Sequence, residues 1–332
     1  MPFAPAGHSD VSIRIVEDWS PSLLEAVSHF QSSRLGDDVW SGRWSEGASY
    51  WHWKFACNPV RPALAALAYQ NDTLAGMAAI SFKRLSDPEG TLVGEIGDLF
   101  VGPQFQRRGI FHNVVTRLVE EAPRLGAALI YSLPNKKAAR ALEATQSFRV
   151  AADATHLTWL KPLRPLAMLQ ARFGARPSSA QTVAIAPIAL QEAVFPQTAG
   201  EEIRPLFTPG MAQYRMQQNP DHASYAWLAA GPSDGAWVKM VQYAGLPAIM
   251  IGRIQNADRA GYSRCLKAVV RRGKDAGCAF VATWAPSRGS YHARLAGQRF
   301  LPVQKKQMMV AISGDQSLAA RLRIELLDSD KI

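Results

Sequence analysis

Residues 95–111 read Glu95-Ile96-Gly97-Asp98-Leu99-Phe100-Val101-Gly102-Pro103-Gln104-Phe105-Gln106-Arg107-Arg108-Gly109-Ile110-Phe111. The apolar run Leu92 to Val101 reads as a strand, and Gly102-Pro103 stops it because proline has no N–H for a ladder. From Ile110 the apolar positions Val114, Val115, Leu118 and Val119 fall at helical spacing, which predicts a helix over 110–125. A strand, a proline-stopped turn and a Gln-x-x-Gly opening a helix make an anion cradle. Amides in a first helical turn have no internal acceptor, and the helix dipole adds partial positive charge there. Gly109 lets a phosphate approach the backbone, and Arg107 and Arg108 add formal charge beside it. The ligand such a cradle suits is a pyrophosphate.

On the N-terminal side, Val11, Ile13 and Ile15 alternate with polar residues as a strand does, and Ser20-Pro21 is a helix start with Ser20 as N-cap. A Trp-rich segment follows, with Trp40, Trp44, Trp51 and Trp53. Leu64 to Tyr69 and Leu74 to Phe82 are joined through Asn71-Asp72 as a hairpin. On the C-terminal side, 127–133 reads as a short buried strand, 138–144 as a helix and 150–160 as extended chain. A β-rich sheet with a few crossing helices is an α+β (mixed α/β) arrangement.

Residues 161–199 break this pattern with Pro162, Pro165 and Pro177 among basic residues, and read as a linker holding a short basic helix over 166–173. Past it the elements recur. Trp53-Lys54-Phe55 with Asn58-Pro59 matches Tyr214-Arg215-Met216 with Asn219-Pro220, 161 positions on. Gly109, Pro134 and Phe148 match Gly261, Pro286 and Phe300, each 152 positions on. Several matches in order at a nearly constant offset argue for an internal duplication. The expected organisation is a ligand-binding domain over 1–160, the linker 161–199, a degenerate second copy over 200–318 and a tail, 319–332.

The order strand, Val-x-Pro turn, Gln-x-x-Gly, helix, then a strand ending Leu133-Pro134-Asn135, a short helix and Phe148 before an extended run resembles the GNAT superfamily of acyl-coenzyme A-dependent N-acyltransferases. The resemblance covers about residues 11–160. Trp51-His52-Trp53-Lys54-Phe55 with Asn58-Pro59 is similar to a bacterial subgroup associated with polysaccharide and small-molecule biosynthesis, and 200–315 resembles a second, worn copy. The resemblance implies two GNAT-like domains, each a twisted, mostly antiparallel sheet flanked by helices, and an acetyl-CoA or other acyl-CoA co-substrate without a metal. It assigns Leu99, Phe100 and Val101 to the pantetheine arm. Gln106, Arg107, Arg108, Gly109, Ile110 and Phe111 would bind the pyrophosphate, mostly through main-chain amides, with Phe111 standing where the family usually has Gly or Ala. Asn135 would contact the co-substrate near the small helix. Leu142 stands where many members have an acidic Tyr.

An amine that attacks a thioester must first lose a proton, so a carboxylate or a water chain helps. Glu95, at the position of the glutamate base in histone-acetylating members, is the favoured base. Asp98, three residues on, should point to the other face of the strand, as a substrate or structural contact, and water alone remains an alternative. Trp51, Trp53 and Trp284 are candidate walls of an acceptor pocket. The second copy has Asp258-Arg-Ala-Gly261-Tyr262 in place of the loop, with neither the Val-x-Pro turn nor the Gln, and is not expected to bind coenzyme A.

Composition bounds these readings. The chain has 332 residues, 48% hydrophobic and 19% charged, enough for real cores and against disorder. A net charge of +10 favours anionic partners without choosing among them. Three cysteines make no disulfide framework, and the seven histidines show no H-x-x-H spacing for zinc. There is no secretion-signal pattern and no run of the ~18 apolar residues a membrane span needs. The expectation is a cytoplasmic enzyme that moves an acyl group to a primary amine of a small molecule, an amino sugar or nucleotide sugar being the first guess. Peripheral membrane contact stays open and nucleic acid is not expected. A Fem-like transferase drawing on charged tRNA is a second reading, against which the intact Gln-x-x-Gly loop argues. A non-catalytic acyl-CoA-binding module, kept open by Leu142, is a third.

Overall fold

The computed structural model describes residues 11–32, 47–150, 156–172, 203–243, 245–256, 259–286, 290–308 and 311–325. Trp40, Trp44, linker residues 173–199 and the tail beyond 325 lie outside them. β1 (Val11–Val16) leads to α1 (Pro21–Ser32), whose start is capped as expected: the Leu23 amide donates to Ser20 Oγ at 3.3 Å. α2 (Gly47–Trp51) runs into a π-helical turn, His52–Ala56. β2 (Leu64–Gln70) and β3 (Thr73–Arg84) form the hairpin, with Asn71 and Asp72 at φ +48° and +60°, the positive pair that suits the twist of a two-residue turn. β4 (Leu92–Val101), α3 (Ile110–Glu121), β5 (Leu129–Ser132), α4 (Lys136–Ala144) and β6 (Arg149–Val150) follow. The helix expected over 110–125 tightens into a 3₁₀ turn at Ala122–Leu125, where Pro123 cannot continue the α ladder.

β7 (His156–Pro162) and α5 (Pro165–Arg172) lead toward the second half: α6 (Pro209–Met216), β8 (Tyr225–Ala229), β9 (Gly235–Tyr243), β10 (Leu246–Gln255), α7 (Arg259–Asp275), β11 (Phe280–Pro286), α8 (Ser290–Gly297), β12 (Leu301–Met308), β13 (Ala311–Gly314) and α9 (Gln316–Arg321). The strands form two mixed sheets, ordered β1-β2-β3-β4-β5-β13-β6 and β12-β7-β11-β10-β9-β8. The architecture is the expected α+β arrangement of two mostly antiparallel sheets with flanking helices.

Two strands change places between the halves. β13, from near the C-terminus, lies between β5 and β6 of the first sheet, with Ala311 opposite Ser132 and Val150. β7, which directly follows the first half, lies between β11 and β12 of the second, with Trp284 opposite Thr158. The extended run read at 150–160 is therefore split between the two sheets, because each sheet completes its hydrogen bonding with the other half's chain.

The duplicated motif sits where the copies touch. Trp53 Nε1 donates to the Tyr214 carbonyl at 2.8 Å, their rings stack 5.0 Å apart, and Tyr214 OH donates back to the Lys54 carbonyl at 3.3 Å. Asn58 and Asn219 make the same turn, each accepting from the amide two residues on, Val60 and Asp221. Equivalent residues contacting one another is what an approximate twofold relation produces. In the first sheet one face packs on α3 through Ile80, Phe82, Ile96, Val114 and Leu118. The other packs Trp51, Trp53, Phe55 and Met77 against Met211, Tyr214 and Trp237 of the second half.

Candidate active site

The first sheet opens at β4. Its parallel pairing with β5 covers only Val93–Glu95 against Leu129–Tyr131. Beyond Glu95 the two strands part, and the β4 edge from Ile96 to Val101 has no β5 partner. β10 and β11 part in the same way beyond Ile251 and Thr283.

A bulge lies at this opening. β3 and β4 pair Met77 with Phe100 and then Ala79 with Gly97, so Asp98 and Leu99 together oppose Ala78, and Asp98 takes φ +48°. The extra residue resets the alternation. On β3, Ala78, Ile80 and Phe82 face α3, while Met77 and Ala79 face away from it, as Lys83 does by strand alternation. Glu95 is held by Lys83 Nζ at 2.6 Å and lies 3.4 Å from Tyr131 OH. Asp98 is held by Lys54 Nζ at 2.8 Å, from the packed side opposite α3. The two carboxylates thus share a face, whereas a spacing of three in a regular strand predicted opposite faces. Gln31 braces the bulge, donating through Nε2 to the Asp98 carbonyl at 3.4 Å. Between the carboxylates is Gly97, above which an added Cβ would meet nothing within 4 Å. The result is an open spot on β4 flanked by one buried and one partly buried lysine–carboxylate pair.

Removing one partner of such a pair leaves a buried charge uncompensated, at about 3–5 kcal/mol. Lys83→Met is therefore expected to lower the denaturation midpoint strongly, and Lys83→Met with Glu95→Gln to recover much of the loss. Urea unfolding of the single and double variants measures this coupling.

The cradle follows. The Gly102 amide donates to the Ala75 carbonyl at 2.9 Å, Pro103–Phe105 make one 3₁₀ turn, and Gln106 Nε2 donates to the Val101 carbonyl at 3.4 Å. Arg107 and Gly109 take φ +63° and +77°. The α3 ladder begins only at the Asn113 amide, which donates to Gly109 O, so the amides of Ile110, Phe111 and His112 stand outside it. An added Cβ on Gly109 would meet nothing within 4 Å, so the approach to these amides is clear. A Cβ on Gly76 would lie 2.6 Å from Ile110 Cγ2, so that glycine lets the helix start settle on β3. Phe111, Leu99 and Val101 are partly buried against the core under α3. Phe100 packs on Phe30. Arg107 is exposed, while Arg108 donates to Gln70 Oε1 at 3.0 Å and is tied to the hairpin. These features fit a diphosphate held mainly by backbone.

Other expected residues have different surroundings. Asn135 is the N-cap of α4, its Oδ1 accepting from the Ala138 amide at 2.9 Å. Trp51 and Trp53 are each 5% exposed and belong to the core between the halves, so they brace the π-helical turn that carries Lys54 and present no open wall. Trp284 is partly buried against apolar residues of both halves. Leu142 is fully buried and offers no hydroxyl. Burial pushes the Cys265 and Cys278 thiols up to about 12 and about 11, so both stay protonated and unreactive near neutrality. Among the described residues no group of three or more His, Cys, Asp or Glu could hold a metal, and no helix is long and apolar enough to cross a membrane. The sequence reading assigned no role at the site to Lys54, Lys83, Gln31 or Gly97. A lysine within a strand of otherwise buried residues, as at Lys83, is the signal that was present.

In the second half Gly261 lies in the first turn of α7, where Gly109 opens α3. A Cβ there would come within 2.3 Å of Asp234 Oδ1. Asp234 is 2% exposed and accepts from Arg264 Nη2 and Nε at 2.5 and 3.1 Å. Asp234 thus packs directly on the start of α7 at Gly261, whereas the start of α3 at Gly109 is open. The expected stoichiometry is one acyl-CoA per chain, which isothermal titration would read directly.

Residues 29–148 match the acetyltransferase (GNAT) family. By that match the segment is a GNAT acetyltransferase domain. Among solved structures the chain resembles a putative acetyltransferase from Pyrococcus horikoshii at 16% identity, covering 95% of both chains with a TM-score of 0.54. Eis1 from Mycobacterium abscessus is similar at 16% identity, over 94% of this chain and 76% of that one, TM-score 0.52. N-myristoyltransferase of Saccharomyces cerevisiae, solved with myristoyl-CoA, is similar at 12% identity over 93% and 84%, TM-score 0.58. At such identities these likenesses concern the fold. No curated protein sequence matches the chain.

Proposed function

We propose that the chain transfers an acetyl group, or a longer acyl group, from coenzyme A to a primary amine of a small molecule, with an amino sugar or nucleotide sugar as the first acceptor to test. The observation that carries this reading is the pairing of a clear cradle at Arg107–His112 with an open spot on β4 at Gly97, on the same strand–turn–helix unit. Acyl-CoA would supply the thioester that the amine attacks. The amides of Gly109 to His112 and the Arg107 side chain would hold its diphosphate. The free β4 edge at Leu99–Val101 offers backbone groups to the pantetheine arm. An amine above Gly97 would stand between Glu95 and Asp98. Glu95 takes its proton, directly or through water, and Lys83 holds that carboxylate in place. Asp98 keeps the bulge in shape through Lys54. With Leu142 where a tyrosine acid could stand, the departing thiolate takes its proton from solvent.

Thiol release on adding a panel of amines and acyl-CoA chain lengths tests the reading. A ligand at 100 times its dissociation constant stabilises a fold by about 2.7 kcal/mol, so melting should respond to acetyl-CoA and not to charged tRNA. Binding without thiol release from any amine would favour the non-catalytic module. Gly97→Leu should abolish amine-dependent thiol release while acyl-CoA binding persists. Glu95→Gln should lower turnover and change its pH profile; turnover unchanged across pH would remove Glu95 as the base.

A further inference from the structure

A cleft of about 270 Å³ lies on the second half, between the C-terminal part of α7, the end of β7 and the end of α8. Lys161, Lys267, Val270, Arg271, Lys274, Asp275 and Gln298 line it. Lys267, Arg271 and Lys274 are spaced i, i+4 and i+7 on α7 and so share one helix face. Lys161 reaches the same space from β7, its Nζ donating to the Gln298 carbonyl and standing 5.8 Å from the Phe300 ring. Among the described residues none of these four cations is ion-paired, Asp275 being the one acidic group of the lining.

A cation in the last turn of a helix is commonly explained by the helix dipole, and Lys274 fits that explanation. Lys267 and Arg271 lie further in, and Lys161 is on a strand. Their convergence gathers like charge into one recess at an electrostatic cost. Burial, with the charges of Arg299 and Lys274, lowers the Lys161 ammonium below its ordinary value. An anion would relieve that repulsion. The cleft is at the end of α7 remote from Gly261 and Asp234, and on the other half from the acyl-CoA cradle.

We propose that this cleft is a second anion site, for a phosphate or diphosphate group carried by a soluble ligand or by a lipid headgroup. Three side-chain cations and a fourth from the sheet match the several oxygens of a phosphoryl group. The site is independent of the transferase reading, since none of its residues belongs to that machinery.

The test uses the full chain saturated with coenzyme A, so that the first cradle is filled. Inorganic pyrophosphate is titrated calorimetrically, and co-sedimentation is measured with vesicles of phosphatidylglycerol and of phosphatidylcholine. The expected result is binding of pyrophosphate or of phosphatidylglycerol vesicles, weakened about tenfold or more in Lys267→Ala/Arg271→Ala/Lys274→Ala. That variant should keep its melting temperature and acetyl-CoA affinity, because all three side chains are exposed. Arg14→Ala/Arg117→Ala/Arg124→Ala loses the same charge elsewhere and should bind as the parent does. Pyrophosphate binding without vesicle binding assigns a soluble ligand, and vesicle binding displaced by pyrophosphate assigns a headgroup. Absence of both at millimolar pyrophosphate, or equal weakening by the two triple variants, overturns the proposal.

Discussion

Gly109→Val is expected to cost the protein about 1–2 kcal/mol of stability, for a side chain forced to positive φ, while lowering acyl-CoA affinity about a hundredfold. The two effects separate because of where the glycine stands. Its φ of +77° strains any L side chain, but a Cβ there meets nothing within 4 Å, so the fold survives. The same open space is the approach to the amides of Ile110, Phe111 and His112. A valine would stand between those donors and a phosphate, and charge-assisted hydrogen bonds of about 1.5–3 kcal/mol each would be lost. Calorimetric titration with acetyl-CoA, beside a melting curve of the free protein, reads both quantities. An affinity equal to that of the parent would show that the diphosphate is held elsewhere.

A chain ending at residue 308 is expected to lose cooperative folding of both halves. Its missing strand, β13, supplies hydrogen bonds to β5 from Ala311 to Gly314 and to β6 at Ala311 and Ile312. The truncation also removes Leu318, Ala319 and Ile324, which pack on Val93, Tyr131 and Leu133, and the Ile324 carbonyl bonded to His156 Nε2 at 3.0 Å. β5 would become an edge with buried groups unpaired on one side, and the loss would be comparable with the roughly 5–15 kcal/mol by which domains are stable at all. A synthetic peptide spanning 309–325 should restore the melting transition when added in excess. A truncated chain with the parent's transition would mean that the strand exchange contributes little. By the same reasoning residues 1–160 expressed alone lack the strand that completes their sheet.

The elements nearest the cradle were the most legible, for local reasons. Ser20-Pro21, Asn71-Asp72, Gly102-Pro103 and Gly109 each carry a backbone preference that holds whatever packs around them, and each stands where that preference requires. The aromatic–cation repeats at Trp53 and Tyr214 were legible as a duplication because their spacing survives divergence. The partners of the carboxylates were not. Asp98 was assigned the wrong face because a bulge is an insertion in one strand relative to its neighbour, and nothing local to β4 announces it. Trp51 and Trp53 suggested an open aromatic wall, yet their surroundings depend on a helix more than 150 positions away. Lys54 and Lys83 acquire their roles only when distant carboxylates arrive beside them.

The order of residues alone was sufficient for the strand, turn and helix start around Gly102-Pro103 and Gly109 and for the fold class, since turn stops, helix starts and apolar periodicity act over a few positions. Which strand completes which sheet, and which lysine neutralises which carboxylate, were settled in three dimensions. Those outcomes depend on contacts between segments far apart in the chain, as with β13 beside β5, and no local preference encodes them.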